Sequence, residues 1–137
     1  MVPATTLPMI RSGILNPGLL ALLARFRHTN TIVIADRGFP SWPGVETIDL
    51  SVVDDLPTVT DVLGPVLEMC TVGRILMAEE FLASNTKRTA SRFAKTAKRL
   101  NIEFEPHELL KLRVPNAIGL IRTGDTTQYA NIILESA

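Results

Sequence analysis

Two histidines are the side chains of this chain best suited to acid–base chemistry near neutral pH. The 137-residue sequence contains only His28 and His107, and imidazole ordinarily titrates between about pH 5 and 8. His28 follows a predicted helix whose C-terminal dipole favours the protonated form, whereas His107 opens a predicted helix whose N-terminal dipole favours neutral imidazole. We therefore predict that His28 donates a proton and His107 accepts one. The structural alternatives are a helix C-terminal residue for His28 and a solvated helix face for His107.

Four more polar side chains have spacings that suit ligand binding. Lys111 lies four residues after His107, on the same face of the predicted helix. Asp36 follows a short apolar strand and is either a turn former or a ligand group. Tyr129, the only tyrosine, and Asn131 lie on the same side of an extended segment. They are either a strand-end aromatic and a turn amide, or a hydroxyl and an amide that hydrogen-bond a polyol.

The predicted elements alternate between strands and helices. Apolar runs and alternation predict strands at 31–35, 45–50, 72–78, 102–105, 117–121 and 131–134. Helical spacing and capping signals predict helices at 17–27, 58–70, 85–100 and 106–112, with a weakened or kinked turn at Gly64-Pro65. This order predicts one α/β domain over residues 1–137, with a mostly parallel sheet flanked by helices. Ligands in such folds bind beyond the carboxyl ends of the strands.

Composition and motifs argue against several functional classes. Fourteen basic and fourteen acidic residues give a formal net charge of zero, so the chain has no bulk attraction for nucleic acid or anionic membranes. The sequence contains no Walker loop, no GxGxxG after a strand and no HExxH. The single thiol, Cys70, cannot form an internal disulfide or a multi-cysteine zinc site. We predict no metal and no nucleic-acid partner.

The N-terminal segment lacks the pattern of an export signal. Pro3, Pro8 and Pro17 interrupt it, and no apolar run approaches the about 20 residues of a membrane span. Together with the single thiol, this predicts a cytoplasmic protein without a membrane partner.

Two other features have mainly structural explanations. The segment 85–100 carries six of the fourteen basic residues, which favours a solvated face over an anion or partner site. Trp42 in the PSWPG segment is either a loop residue, a subunit contact or a side chain that stacks on a sugar.

Four motifs occur in a familiar order: SGILN, HTNTIVIADRGFP, PHELLK and RTGDTTQYANIIL. Over almost the whole chain, from about Arg11 to Leu134, this pattern resembles the D-ribose pyranase family, which is related to the fucose mutarotases. The resemblance implies an isomerase that interconverts the pyranose and furanose forms of ribose and so supplies a kinase that takes the furanose. It also implies a homo-oligomer, typically a decamer of two stacked pentameric rings, with sites completed across subunits and with no cofactor or metal.

The resemblance assigns site residues that match the family by type. They are catalytic His28 and His107, and substrate-binding Asp36, Lys111, Tyr129 and Asn131.

Some positions depart from the ribose pattern. Asn30 stands where the family usually has Asp, Arg37 stands where a small residue is expected, and Phe39 is closer to the mutarotase pattern. An L-fucose-type mutarotase and a non-catalytic sugar-binding or transport-accessory protein therefore remain alternatives. A phosphohistidine carrier, which would be phosphorylated on His107, is a third.

Overall fold

A six-stranded sheet organises the computed structural model of the chain, which describes residues 9–137. Its strands are β1 (Thr31–Ala35), β2 (Thr47–Asp49), β3 (Val72–Ala78), β4 (Ile102–Glu105), β5 (Gly119–Arg122) and β6 (Ile132–Ser136). They lie in the order β2–β5–β1–β6–β3–β4. Only β6 runs antiparallel to its neighbours, β1 and β3, within the described residues. The predicted α/β fold with a mostly parallel sheet is confirmed. The prolines Pro3 and Pro8 lie outside the described residues.

Five helices pack on the two faces of this sheet in the described part of the chain. They are α1 (Pro17–Ala24), α2 (Val59–Met69), α3 (Glu79–Ser84), α4 (Lys87–Ala97) and α5 (His107–Arg113), the last continued by a 3-10 turn at Val114–Asn116. None of the helices within residues 9–137 is long and apolar enough to cross a membrane.

The core is split into two layers by the sheet. Alternate residues of β1 enter different layers, so the strand is buried on both sides, as its uninterrupted apolar run predicts. Ile32 and Ile34 pack in the layer that contains buried residues of α1, α2, α3 and α4. Val33 and Ala35 pack in the other layer, which includes Leu110 of α5.

The helix α1 is shorter than predicted, and this changes the surroundings of His28. Asn16 caps the helix by accepting a hydrogen bond from the Leu19 N–H at 2.9 Å, as expected. The helix ends at Ala24 rather than at residue 27. His28 therefore lies in the turn before β1, and the predicted position of His28 directly at the C-terminus of a helix is wrong.

The predicted helix at 85–100 is present as α4 but is shorter, Lys87–Ala97. The preceding helix α3 (Glu79–Ser84) is not predicted, and Asn85 and Thr86 separate the two helices in extended conformations. The Thr86 hydroxyl accepts a hydrogen bond from the Thr89 N–H at 3.2 Å and so starts α4 afresh. The basic side chains at 87–99 are exposed, in agreement with the predicted solvated face.

Pro65 does not end the second helix. Although a proline removes one backbone hydrogen bond, α2 continues from Val59 to Met69. Thr58 and Asp61 form a reciprocal capping box at its start. Four of its apolar side chains are also buried against the sheet, and this packing compensates for the missing bond.

We predict opposite outcomes for alanine at two glycines. A Cβ at Gly119 would lie 2.5 Å from Leu22 Cδ1 in the core, so Gly119→Ala should destabilise the fold by about 1–3 kcal/mol through overpacking. At Gly64, in α2, the nearest outside atom would be 3.9 Å away, so Gly64→Ala should be neutral or stabilising by up to about 1 kcal/mol. Urea unfolding of both variants tests this, and equal losses at the two sites would contradict it.

Candidate functional site

A cavity of about 340 Å³ opens at the edge of the sheet where β1 ends and β6 begins. This is the carboxyl edge of the parallel strands, where ligands of such folds bind. Five of the six predicted site residues line it: Asp36, His107, Lys111, Tyr129 and Asn131. The remaining lining residues are Gly38, Phe39, Pro40, Trp42 and Gln128.

A hydrogen bond between β1 and β6 fixes the floor of this site. The Asp36 backbone N–H donates to Asn131 Oδ1 at 2.8 Å, and Asn131 is only 4% exposed. The antiparallel pairing of Ile34 with Ile132 brings the two residues together. The Gly38 N–H then donates to Asp36 Oδ1 at 3.0 Å. Asn131 therefore links the end of β1 to the start of β6 and also lines the cavity.

The Asp36 carboxyl group is held in a partly desolvated position. Burial raises the pKa of Asp36, and hydrogen bonds from the Gly38 N–H, the Asn131 side chain and the Phe39 N–H oppose the increase. The nearby carboxylate of Asp125 adds a smaller increase. A carboxyl group whose pKa is raised by folding opposes folding when it is ionised, so Asp36 is kept at an energetic cost.

His107 enters the cavity from the first turn of α5, as predicted. Pro106 precedes the helix but provides no side-chain cap. Instead, the carboxylate of Glu80 in α3 accepts the His107 backbone N–H, with Oε1 at 3.1 Å and Oε2 at 3.2 Å. A negative group at a helix N-terminus is favourable both as a hydrogen-bond acceptor and through the helix dipole. Glu80 therefore fixes the position of His107.

Lys111 lies one turn further along α5 and reaches the same cavity. Its Nζ is 3.7 Å from Glu108 Oε1, and the Lys111 side chain is 41% exposed. Such an exposed ion pair contributes little to stability. The ammonium group is therefore free to bind a ligand hydroxyl without a large structural loss.

Tyr129 is held against His107 in an unusual backbone conformation. The two ring centroids are 5.2 Å apart and the rings meet edge to face at 79°. Tyr129 has a φ of 55°, in the left-handed region that a bulky residue rarely adopts. His107 Nδ1 is buried and has no hydrogen-bond partner among residues 9–137. Backbone strain and an unpartnered polar atom are both typical of functional sites.

Two residues outside the cavity hold the Tyr129 loop. Asp125, buried in the turn before it, accepts the Thr127 N–H at 2.8 Å and the Val59 N–H of α2 at 2.8 Å. Asn85 donates through Nδ2 to the backbone oxygens of Gln128, at 2.9 Å, and Phe81, at 2.8 Å. The strained loop is thus fastened to α2 and α3.

His28 is the one predicted site residue that the structure does not bring to this cavity. It is exposed in the turn before β1, whereas Asp36 follows the end of that strand. The five residues of β1 span about 17 Å. Within one copy of the chain, His28 therefore lies at the opposite edge of the sheet from the cavity, and its catalytic role stays a prediction.

Asn30 and Arg37, the two residues that depart from the ribose pattern, each make a defined contact in the structure. Asn30 Oδ1 accepts the Arg27 N–H at 2.9 Å and closes the turn that holds His28. The amide oxygen of Asn30 can accept this bond as an aspartate carboxylate would. Arg37 is not among the residues that line the cavity, and it pairs with Asp54, with Nη1 and Oδ1 2.7 Å apart. Neither substitution changes the lining of the cavity.

Glu80 and Asn85 are the positioning residues that the sequence interpretation misses. Glu80 lies in α3, which is missing from the predicted elements, and Asn85 lies at the break between α3 and α4. Thr86, a residue typical of a helix N-cap, is the sequence signal for that break. No three His, Cys, Asp or Glu side chains within residues 9–137 are grouped in a way that could hold a metal ion.

Comparisons with known proteins give one consistent family. A model of the RbsD / FucU transport protein family matches residues 9–137. A D-ribose pyranase from Bacillus cytotoxicus is 39% identical over 128 residues, which cover 93% of this chain and 97% of the relative.

Solved structures agree with this family. Bacillus subtilis RbsD, complexed with D-ribose, is 40% identical with a TM-score of 0.86, over 94% of this chain and 98% of its own. The fucose mutarotase of Streptococcus pneumoniae, in complex with L-fucose, is 22% identical with a TM-score of 0.76, over 89% of this chain and 92% of its own. This second likeness concerns the fold alone.

Replacement of Asp36 tests the energetic cost of its carboxylate. Asp36→Asn keeps an oxygen for the Gly38 N–H and removes the charge, so it should raise the free energy of unfolding at pH 7. The gain should fade as the pH falls through the raised pKa towards about 4, where the unfolded carboxyl group is also protonated. Urea unfolding at pH 7 and pH 4 measures this, with exposed Glu79→Gln as the control. A loss of stability at pH 7 would contradict the prediction.

Replacement of Glu80 tests the cap of α5. Glu80→Ala should cost about 1 kcal/mol, the usual loss for a helix cap, and should speed hydrogen exchange of the His107 amide. Glu80→Gln keeps one acceptor oxygen and should retain most of the protection. Glu79→Ala, at the exposed neighbouring position, is the matched control. Unchanged exchange of the His107 amide in Glu80→Ala would show that the carboxylate does not hold the helix.

Proposed function

Because the chain belongs to the RbsD / FucU transport protein family, we propose that it is an isomerase that interconverts the pyranose and furanose forms of D-ribose. The observation that carries this proposal is the grouping of Asp36, His107, Lys111, Tyr129 and Asn131 around one cavity. These side chains offer an imidazole and several hydrogen-bonding groups, and the formal net charge of zero suits an uncharged sugar. The D-ribose pyranase of Bacillus cytotoxicus, similar over most of its length, supports the same activity.

The reaction requires two proton movements and no change of oxidation state. A base removes the proton of the anomeric hydroxyl while an acid protonates the ring oxygen, and the bond between the anomeric carbon and the ring oxygen breaks. Rotation of the open aldehyde then brings a different hydroxyl to the carbonyl carbon. Closure reverses the two proton transfers and gives the other ring size. Each positioned acid or base contributes about 10²–10⁴-fold.

We assign the proton acceptor to His107. Its ring lies in the cavity wall, in contact with Tyr129. Glu80 fixes its backbone, so the imidazole needs no large rearrangement to meet a bound sugar. Asp36, Lys111 and Asn131 hold the hydroxyl groups of the flexible open chain between opening and closure.

We assign the proton donor to His28 of a neighbouring copy of the chain. The distance between His28 and its own cavity is a reason for this assignment, because one copy cannot use both histidines at one site. Leu109 and Leu112 of α5, next to the cavity, are 51% and 71% exposed. Exposed apolar side chains of this kind favour a protein contact beside the site. A homo-oligomer is therefore part of the proposal. Its size, a decamer of two stacked pentameric rings, is what the resemblance to the D-ribose pyranase family implies.

The remaining parts of the proposal concern the setting of the reaction. We place the protein in the cytoplasm, where a kinase that takes the furanose would use its product. We assign it no cofactor or metal, since proton transfer alone accounts for the chemistry. An L-fucose-type mutarotase stays the second candidate, because Phe39, the residue closer to the mutarotase pattern, lines the cavity.

Exchange NMR on ribose tests the activity directly. The wild-type protein should speed exchange between pyranose and furanose signals, and His107→Ala should reduce that acceleration by about 10²–10⁴-fold. Arg92→Ala, on the exposed face of α4, is the control and should keep it. Parallel spectra with L-fucose separate the two candidate substrates. A wild-type protein that accelerates neither sugar would overturn the proposal, and a fully active His107→Ala variant would overturn the assignment of the base.

Mixed assemblies test the contribution of His28 from a second copy. His28→Ala and His107→Ala should each be inactive when pure. Co-expressed with different tags and purified through both, they should regain activity at about a quarter of the sites, because each site draws on two copies combined at random. Mixed assemblies as inactive as the pure variants would contradict shared sites.

A further inference from the structure

We propose that Phe39 and Trp42 form an aromatic wall that binds the C–H face of ribopyranose and thereby selects ribose from its epimers. The inference rests on the proposed function and adds the stereochemical basis of substrate choice. Neither residue belongs to the set that the sequence pattern assigns to the site.

The wall is an aromatic pair in the lining of the cavity. The ring centroids of Phe39 and Trp42 are 5.5 Å apart, with an angle of 26° between the ring planes. Phe39 is 7% exposed, whereas Trp42 is only partly buried. Both border the same cavity as the polar residues Asp36, His107 and Asn131. The cavity therefore offers aromatic surface and hydrogen-bonding groups to one small ligand.

Hydrogen bonds hold the wall in place. Arg122 donates to the Phe39 backbone oxygen through Nε at 3.1 Å and through Nη2 at 3.0 Å. The same guanidinium group pairs with Asp49 at 3.1 Å, which anchors it to β2. The Val45 N–H donates to the Trp42 oxygen at 3.1 Å and closes the loop. An aromatic surface fixed in this way loses little conformational freedom when a sugar binds.

The stereochemistry of ribose matches such a cavity. Its hydroxyl groups at C2, C3 and C4 all project from the same side of the pyranose ring, so the C–H bonds at these carbons share the opposite face. The face of an aromatic ring carries negative potential and attracts weakly positive hydrogen atoms. The C–H face therefore packs on the wall while the three cis hydroxyls meet polar side chains.

Epimers of ribose lack this clean division. D-Arabinose inverts C2 and D-xylose inverts C3, so each places a hydroxyl group on the face that ribose leaves apolar. Against an aromatic ring, that hydroxyl loses its hydrogen bonds to water without gaining a partner, which is unfavourable. The wall therefore weakens the binding of the epimers more than it strengthens the binding of ribose.

Trp42 is the only tryptophan in the chain, so its fluorescence reports on the wall alone. Ribose added to the full-length wild-type protein should change the emission, with saturation at the concentrations that saturate ring exchange. D-Xylose and D-arabinose, as competitors of ribose exchange, should bind at least about tenfold more weakly, the equivalent of 1.4 kcal/mol. Trp42→Phe supplies the fluorescence background and should keep the preference for ribose.

Trp42→Ala should raise the KM for ribose by about tenfold and bring ribose and xylose affinities closer together, with kcat less affected. Trp42→Leu, which keeps apolar volume without the aromatic face, should show the same loss of selectivity and replaces the alanine variant if that one fails to fold. A wild-type protein that catalyses exchange with no change in emission, or variants that retain the preference for ribose, would overturn the wall. Absence of exchange in the wild type would instead overturn the proposed function.

Discussion

The antiparallel insertion of β6 between β1 and β3 is the constraint on which the site depends. In a sheet of parallel strands, every strand ends at the same edge, and the residues that begin a strand lie at the other. Because β6 runs in the opposite direction, its beginning lies beside the end of β1. The hydrogen bond from the Asp36 N–H to Asn131 Oδ1 joins the two at this point. Residues almost a hundred positions apart thus share one cavity.

Around this junction, residues outside the cavity lining hold the side chains that line it. Glu80 takes the place of a missing cap at the start of α5 and so sets the position of His107. Asp125 and Asn85 fasten the strained loop of Tyr129. Such supports are expected where flexible polyols react, since a displacement of about 1 Å in a catalytic group can cost 10²-fold in rate.

Two buried or partly buried carboxyl groups, Asp36 and Asp125, lie near this junction. Burial raises the pKa of Asp36, so the fold gives up stability to keep this carboxyl group at the floor of the site. The neighbouring Asp125 is almost completely buried, but it accepts hydrogen bonds from two backbone N–H groups and acts as a structural anchor. The two neighbouring carboxylates therefore have different roles. Asp36 lines the cavity and can contact a ligand, whereas Asp125 binds backbone N–H groups.

The sequence predicts those parts of the fold that depend on local pattern. The strands at 31–35, 72–78 and 102–105 have the predicted bounds, because short apolar or alternating runs are bordered by clear breaks. The C-terminal end of α1 and the short helix α3 are not predicted. In both places the path of the chain depends on hydrogen bonds to or from single polar side chains, such as the bond from the Arg27 N–H to Asn30 Oδ1 after α1. Asn85 illustrates the point, since its amide bonds to Gln128, which is distant in sequence.

The site shows the same division between local and long-range information. Residue type and resemblance identify Asp36, His107, Lys111, Tyr129 and Asn131, and the structure brings these five to one cavity. The strained conformation of Tyr129 and the contact from Glu80 come from tertiary structure alone. The position of His28 was predicted from a helix that ends at residue 27, whereas α1 ends three residues earlier, at Ala24.

We propose that ribose binds where β1 ends and β6 begins. A crystal structure of the full-length protein with ribose tests it most directly. We expect a sugar ring between Trp42 and the polar side chains, within hydrogen-bond distance of His107 and Asn131. Ribose bound elsewhere, with this cavity filled only by solvent, would contradict it.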